Sequence, residues 1–221
     1  MADSIIPGVT EVINKFERII VLEDDLVTAP YFLNYMNDAL NKYKKIEKVM
    51  HIAGYMYPIE GKDFPQTFFY RPASCWGWAT WKRAWDHFDP DLKSRVGQFT
   101  PAMKNEFNMG GVYNDYWNHV ELNLKGRIHT WAIKWYFSVF LKDGLCLHPT
   151  KSLVENIGHD GTGAHCVKTQ KYCNRTLAGE ITEFEDIVAE NPMVVERIKQ
   201  YLLNSQPWPH RISRIIKKAF L

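Results

Sequence analysis

An apolar run, Arg18-Ile-Ile-Val-Leu22, leads straight into three consecutive acids, Glu23-Asp24-Asp25, and then into Leu26-Val-Thr-Ala-Pro30. Ile19, Ile20, Val21 and Leu22 form the short β-branched, apolar stretch expected of a strand buried on both faces of a parallel sheet. Carboxylates crowded at its end repel one another unless something positive lies among them. Strand ends in open α/β sheets are where ligands bind, and clustered oxygen donors suit hard divalent cations such as Mg²⁺ or Mn²⁺. A purely structural reading is also open. Glu23 and Asp24 are then solvated, and Asp25 favours the N-terminus of the next helix, with Thr28 or Ala29 as cap and Pro30 in the first turn.

Composition narrows the classes. A chain of 221 residues with 46% hydrophobic and 14% aromatic content buries a substantial core and is not a disordered polymer. A net charge of +2 offers no electrostatic case for a nucleic-acid partner. No apolar run is long enough to span a membrane, and the start, Met1-Ala-Asp-Ser4, has no signal-peptide pattern. Cysteines 75, 146, 166 and 173 lack paired short spacings and read as reduced thiols, which predicts a cytoplasmic setting. Cys166 and Cys173 with His159 or His165 match no common zinc spacing.

The hydrophobic pattern predicts strands at 18–23, 49–53, 67–70, 145–148 and 152–157. It predicts helices at 30–43, with Phe32, Leu33, Met36 and Leu40 as the apolar stripe, and at 78–88, 113–124, 131–141 and 192–203. Gly158-His-Asp-Gly-Thr-Gly163 is a glycine-rich loop.

Four motifs occur in a telling order: Glu23-Asp24-Asp25-Leu26 with Ala29-Pro30, Phe32 and Tyr35; Cys75-Trp-Gly-Trp-Ala-Thr-Trp81; Asn114-Asp115-Tyr-Trp117; and Ile157-Gly-His-Asp-Gly-Thr-Gly163. In this order the chain resembles the metal-dependent GT-A glycosyltransferases. The likeness is to the branch with the N-acetylglucosaminyltransferase that begins complex N-glycan synthesis and its bacterial relatives in surface-polysaccharide synthesis. It covers about residues 15 to 165, and four ordered motifs are far more specific than one. That family has roughly a hundred residues before the triplet, on the scale of half a doubly wound sheet. Here 22 precede it. The resemblance therefore implies a partial GT-A-like, Rossmann-like α/β fold, a mixed sheet flanked by helices that keeps the central and acceptor-side part. It would span 1–170, with a helical extension over 171–221. Such a fold leaves a sheet edge for a second copy to cover, giving a homodimer.

The resemblance also implies roles. Asp25 would bind Mn²⁺ (or Mg²⁺), which holds the diphosphate of a nucleotide sugar; Asp24 would lie on the ribose side and Glu23 on the nucleotide side. Trp76, Gly77 and Trp78 would form the turn between donor and acceptor sites, with Gly77 admitting a close backbone approach. Asp115 would be the base that deprotonates the acceptor hydroxyl in an inverting transfer. His159 and Asp160, on a loop with glycine hinges, would reach diphosphate or sugar hydroxyls.

Each role has a plain counterpart: core packing for Trp76 and Trp78, as for Trp81 and Trp85 spaced i, i+4; a favourable first-turn acid for Asp115; a surface loop for 158–163. The tail 208–221 carries Arg211, Arg214, Lys217 and Lys218 opposite Ile212, Ile215, Ile216 and Phe220. It reads either as a docked helix or as a basic amphipathic contact with the inner face of a membrane, which would suit a lipid-linked acceptor. A non-catalytic carbohydrate-binding or scaffold remnant, and a metal-dependent hydrolase or nucleotidyltransferase, are the competing classes.

Overall fold

A computed structural model describes residues 2–158 and 176–205. The chain is a mixed α/β fold built on a mixed five-stranded sheet, with helices on both faces. The strands are β1 (Arg18–Val21), β3 (Val49–Ala53), β4 (Thr67–Tyr70), β5 (Trp78–Trp81) and β6 (Leu145–Pro149), in the order β1-β5-β3-β6-β4. Only β3 and β6 run parallel; the other neighbours are antiparallel. A two-stranded sheet pairs β2 (Leu26–Thr28) with β7 (Val154–Asn156).

The helices are α1 (Ala2–Phe16), α2 (Phe32–Lys42), α3 (Lys82–Trp85), α4 (Leu92–Arg95), α5 (Pro101–Phe107), α6 (Asp115–Leu124), α7 (Ala132–Leu141) and α8 (Pro192–Asn204). Among the described residues no helix is long and apolar enough to cross a membrane.

Strand periodicity divides the core. On β5, Trp78 faces one layer while Ala79 and Trp81 face the other. The first layer gathers Val9 and Ile13 of α1, Trp85, Trp131 and Trp135. The second holds Phe32, Tyr35, Met36, Ala39 and Leu40 of α2 against Ile52, Phe69 and Leu147. Val194, Ile198 and Leu202 of α8 join that same cluster, so 176–205 packs as part of the body that carries the sheet. A third cluster lies around Phe99, Phe107, Val120 and Phe137.

Several expectations are corrected. Strand β1 is an edge strand, antiparallel to β5 and half-buried, not the doubly buried parallel strand its composition suggests. The segment 78–88 is a buried strand followed by one helical turn, not a helix, because Trp78–Trp81 pair with both β1 and β3. Its Trp81 and Trp85 are both buried, but in different layers. Helix α2 begins at Phe32 without a side-chain cap, since Leu26–Thr28 are drawn into the second sheet. Leu33, expected on the apolar stripe, is 56% exposed, and Tyr35 and Ala39 take that face. Helix α1 lacked a clear sequence signal because Pro7-Gly8 interrupts it; its Val9 and Ile13 nonetheless lock it to the sheet.

Candidate functional site

The three acids occupy the turn between β1 and β2, closed by the Leu26 N–H donating to the Glu23 carbonyl at 3.3 Å. Asp24 and Asp25 are exposed and Glu23 is half-buried. Pairing of β2 with β7 then delivers the start of the glycine-rich loop to the acids. Leu26 lies opposite Asn156, the Ile157 N–H donates to the Asp25 carbonyl at 2.9 Å, and the Gly158 N–H donates to Asn156 Oδ1 at 2.9 Å. Gly158 sits directly on the Asp25 side chain: a Cβ there would stand 2.5 Å from Asp25 Oδ2. A side chain at 158 would displace the exposed Asp25 carboxylate.

The Trp76-Gly77 turn joins the same rim through a backbone ladder. The Ala29 N–H donates to the Leu153 carbonyl, Leu153 to that of Gly54, and Gly54 to that of Gly77, the last at 2.6 Å. Gly77 has φ +60°, and a Cβ on it would lie 2.9 Å from Val154 Cγ1 and 3.0 Å from Phe32 Cε2. Glycine is required here for both conformation and space.

Trp76 is half-buried and meets Tyr55 edge-on, with ring centroids 4.5 Å apart. Tyr55 contacts Tyr57 at 5.7 Å, and Tyr57 shares a side-chain hydrogen bond with Tyr116. Aromatic contacts therefore run from the Trp76 turn to the first turn of α6, where Asp115 is exposed beside Tyr116.

Trp78 does not belong to this surface. It is fully buried, stacks on Trp131 at 5.1 Å and on His51 at 5.4 Å, and keeps no face for a sugar. Its Nε1–H finds no acceptor among the described residues. The expected role of Trp78 at a ligand site is thereby withdrawn. Strand β5 begins at Trp78, and the left-handed Gly77 before it (φ +60°) breaks the alternation that would otherwise put Trp76 and Trp78 on one face, so the two indoles join different layers.

Glu23 connects the rim to that core. Burial raises its carboxyl above the ordinary carboxylate range; a hydrogen bond with the Trp131 side chain works against the rise, and the charges of Asp24 and Asp25 add to it. Burial, helped by the Glu23 charge, also pushes the Cys75 thiol up to about 12. Cys75 and Trp131 as neighbours of Glu23, and Asn156 as the holder of Gly158, had no sequence signal, since all three are set by strand pairing or helix packing.

Among the described residues no three His, Cys, Asp or Glu side chains converge to form a metal cage. The donor set fits a different mode, in which a hard divalent ion takes one or two carboxylates and completes its shell with phosphate oxygens and water. Asp25, exposed in the turn after β1, would suit that mode. His159 and Asp160 lie outside the described residues, as do Cys166, Cys173, His165 and the segment 208–221.

No protein-family model and no characterised protein matches this chain, so the functional reading rests on its own residues.

Proposed function

We propose that the chain is a GT-A-like, metal-dependent glycosyltransferase acting on a nucleotide-diphosphate sugar and a saccharide or lipid-linked acceptor in surface-polysaccharide synthesis. The observation that carries this reading is the seating of Gly158 on the Asp25 carboxylate. The starts of two motifs more than 130 residues apart thereby meet at a strand end, where the backbone of Gly158 against a solvent-facing carboxylate favours a phosphate–metal ligand over a packed core.

Asp25 would hold Mn²⁺ or Mg²⁺ together with the donor diphosphate, with Asp24 and Glu23 lining the nucleotide side. The ion supplies charge neutralisation as the leaving group departs. Trp76 and Gly77 shape the boundary between donor and acceptor. In the transfer an acceptor oxygen forms a bond to sugar C1 as the bond from C1 to the phosphate oxygen breaks. The electron pair leaves with the nucleoside diphosphate, and the acceptor proton passes to Asp115.

Calorimetric titration of the full chain with nucleoside diphosphates, with and without Mn²⁺, tests this. Binding is expected only with the metal and is expected to disappear in Asp25→Asn. No binding by the wild-type chain, or equal binding by the variant, sinks the donor-site reading and leaves the scaffold reading. Turnover of a nucleotide sugar in water without an acceptor selects the hydrolase instead.

A further inference from the structure

The two edges of the main sheet are treated differently. Strand β4 is sealed from within the chain. The Asn191 N–H donates to the Phe69 carbonyl at 3.0 Å, Phe69 bridges Glu190, and the Thr67 hydroxyl donates to the Glu183 carbonyl at 3.2 Å. Strand β1 pairs with β5 alone, and no described strand meets its outer side.

The register shows which groups that outer side presents. Lys82 N–H donates to the Glu17 carbonyl at 2.8 Å, so Glu17/Lys82, Ile19/Thr80 and Val21/Trp78 are the hydrogen-bonded pairs of the β1–β5 ladder. The N–H and C=O groups of Arg18, Ile20 and Leu22 therefore point away from the sheet. The edge carries no Pro and no bulge, and the one charge within its four residues, Arg18, is at its start. Its flanks are apolar: Leu22 is 46% exposed and Phe16 60%.

We propose that this edge pairs with β1 of a second copy of the chain, antiparallel, about a two-fold axis at Ile20. Charge selects this occupant. One end of the strand carries Lys15, Glu17 and Arg18, a net charge of +1, and the other carries Glu23, Asp24 and Asp25, a net charge of −3. A strand that runs from basic to acidic complements an antiparallel copy of itself. With Ile20 opposite Ile20, Arg18 faces Leu22 and Leu22 faces Arg18. Every outward N–H and C=O of Arg18, Ile20 and Leu22 then finds its partner.

In this pairing Leu22 of one copy, opposite Arg18 of the other, leads directly into the acidic turn 23–25, which brings those carboxylates within reach of the long Arg18 side chain. Its Nη1 donates to Asn41 Oδ1 at 2.7 Å, leaving other guanidinium donors for those carboxylates. The pairing sets a cation of one copy beside the acidic turn of the other.

Sedimentation of the full chain over a range of concentrations, together with amide hydrogen exchange, tests the proposal. The mass is expected to double as concentration rises, while exchange at Arg18, Ile20 and Leu22 slows in step. Leu22→Lys and Arg18→Glu are expected to weaken association tenfold or more. Arg18→Glu combined with Asp24→Arg is expected to restore it, with unchanged circular dichroism throughout. A chain that stays monomeric with freely exchanging edge amides overturns the proposal and leaves the edge to a foreign strand. Protection independent of concentration overturns it in favour of a segment of the same chain. A dimer unaffected by these substitutions overturns it in favour of another surface. None of these outcomes depends on glycosyl transfer.

Discussion

The tripeptide Trp76-Gly77-Trp78 faces two environments that differ in kind. On one side of the sheet Trp78 and Trp135 flank a fully buried imidazole, with Trp131 and Trp85 packed against them. His51 accepts from the Trp135 indole through Nδ1 at 3.0 Å, so its Nε2 carries the proton and donates to the Ser74 carbonyl at 3.0 Å. On the other side Trp76 sits half-buried on a rim of glycine backbones, where Asp24 and Asp25 keep their carboxylates in water. The sealed layer is built by volume and polar satisfaction. The rim is built by close backbone approach, and its charges are left unspent. Disturbing the first should cost stability, and disturbing the second should cost binding.

The largest expected effect is in the sealed layer. Trp135→Ala opens a cavity and strips His51 of its donor, and should cost about 3–5 kcal/mol in urea unfolding. Asp25→Asn should leave the unfolding midpoint nearly unchanged while abolishing metal-dependent diphosphate binding. If instead Asp25→Asn unfolds the chain, the contrast collapses.

Acid should reach the sealed layer before the rim. Burial holds His51 down at about 3 and His148, lodged between the Tyr55 and Pro72 carbonyls, at about 4. Both depressed values mean that the unfolded chain takes up protons that the folded chain refuses. The stability they protect is therefore full above pH 6.5, and falls as pH drops from there toward 4 and 3. The loss is on the order of 1.4 kcal/mol per pH unit for each ring. Thermal unfolding between pH 7 and 4 checks this, and a His51→Asn variant should show a shallower slope.

Glycine substitutions test the rim itself. Gly77→Ala forces a side chain into φ +60° and should cost roughly 1–2 kcal/mol, with Val154 and Phe32 obliged to move. Gly158→Ala pushes on the Asp25 carboxylate and should weaken Mn²⁺-dependent binding more than it lowers the melting temperature. The smallest effect falls at Glu23. Its raised carboxyl means that folding disfavours the charged form, a penalty that grows as pH rises through the ordinary carboxylate range and is complete above the folded value. Glu23→Gln keeps an acceptor for Trp131 and should raise the melting temperature slightly at neutral pH without metal. A fall would show that the charge is stabilised in place.

How far the sequence could be read depended on where the signal was local. The acid-tipped strand, the helices at 113–124 and 131–141 and the strands around 49–53 and 67–70 announce themselves through short-range periodicity, and all are present. The stretch 78–88 misled because Trp78, Trp81 and Trp85 fall at spacings that also fit a helix, and only pairing with β1 and β3 makes 78–81 a strand. The neighbours of Glu23 were invisible because Trp131 lies more than 100 residues away. Nor does any pattern in the chain reveal that Trp76 and Trp78 part company; that requires knowing they lie at the mouth of a strand.

What the sequence determined alone is the chemistry at the tip of β1: three carboxylates after an apolar run, with a glycine-rich segment far downstream. What the tertiary structure decided is where that tip lies. Pairing β2 with β7 sets Gly158 on Asp25, and placing β1 at the sheet edge turns Arg18, Ile20 and Leu22 outward. The physical reason is that composition sets the preference of each residue, whereas strand order is chosen by long-range hydrogen bonding and core packing summed over the whole chain.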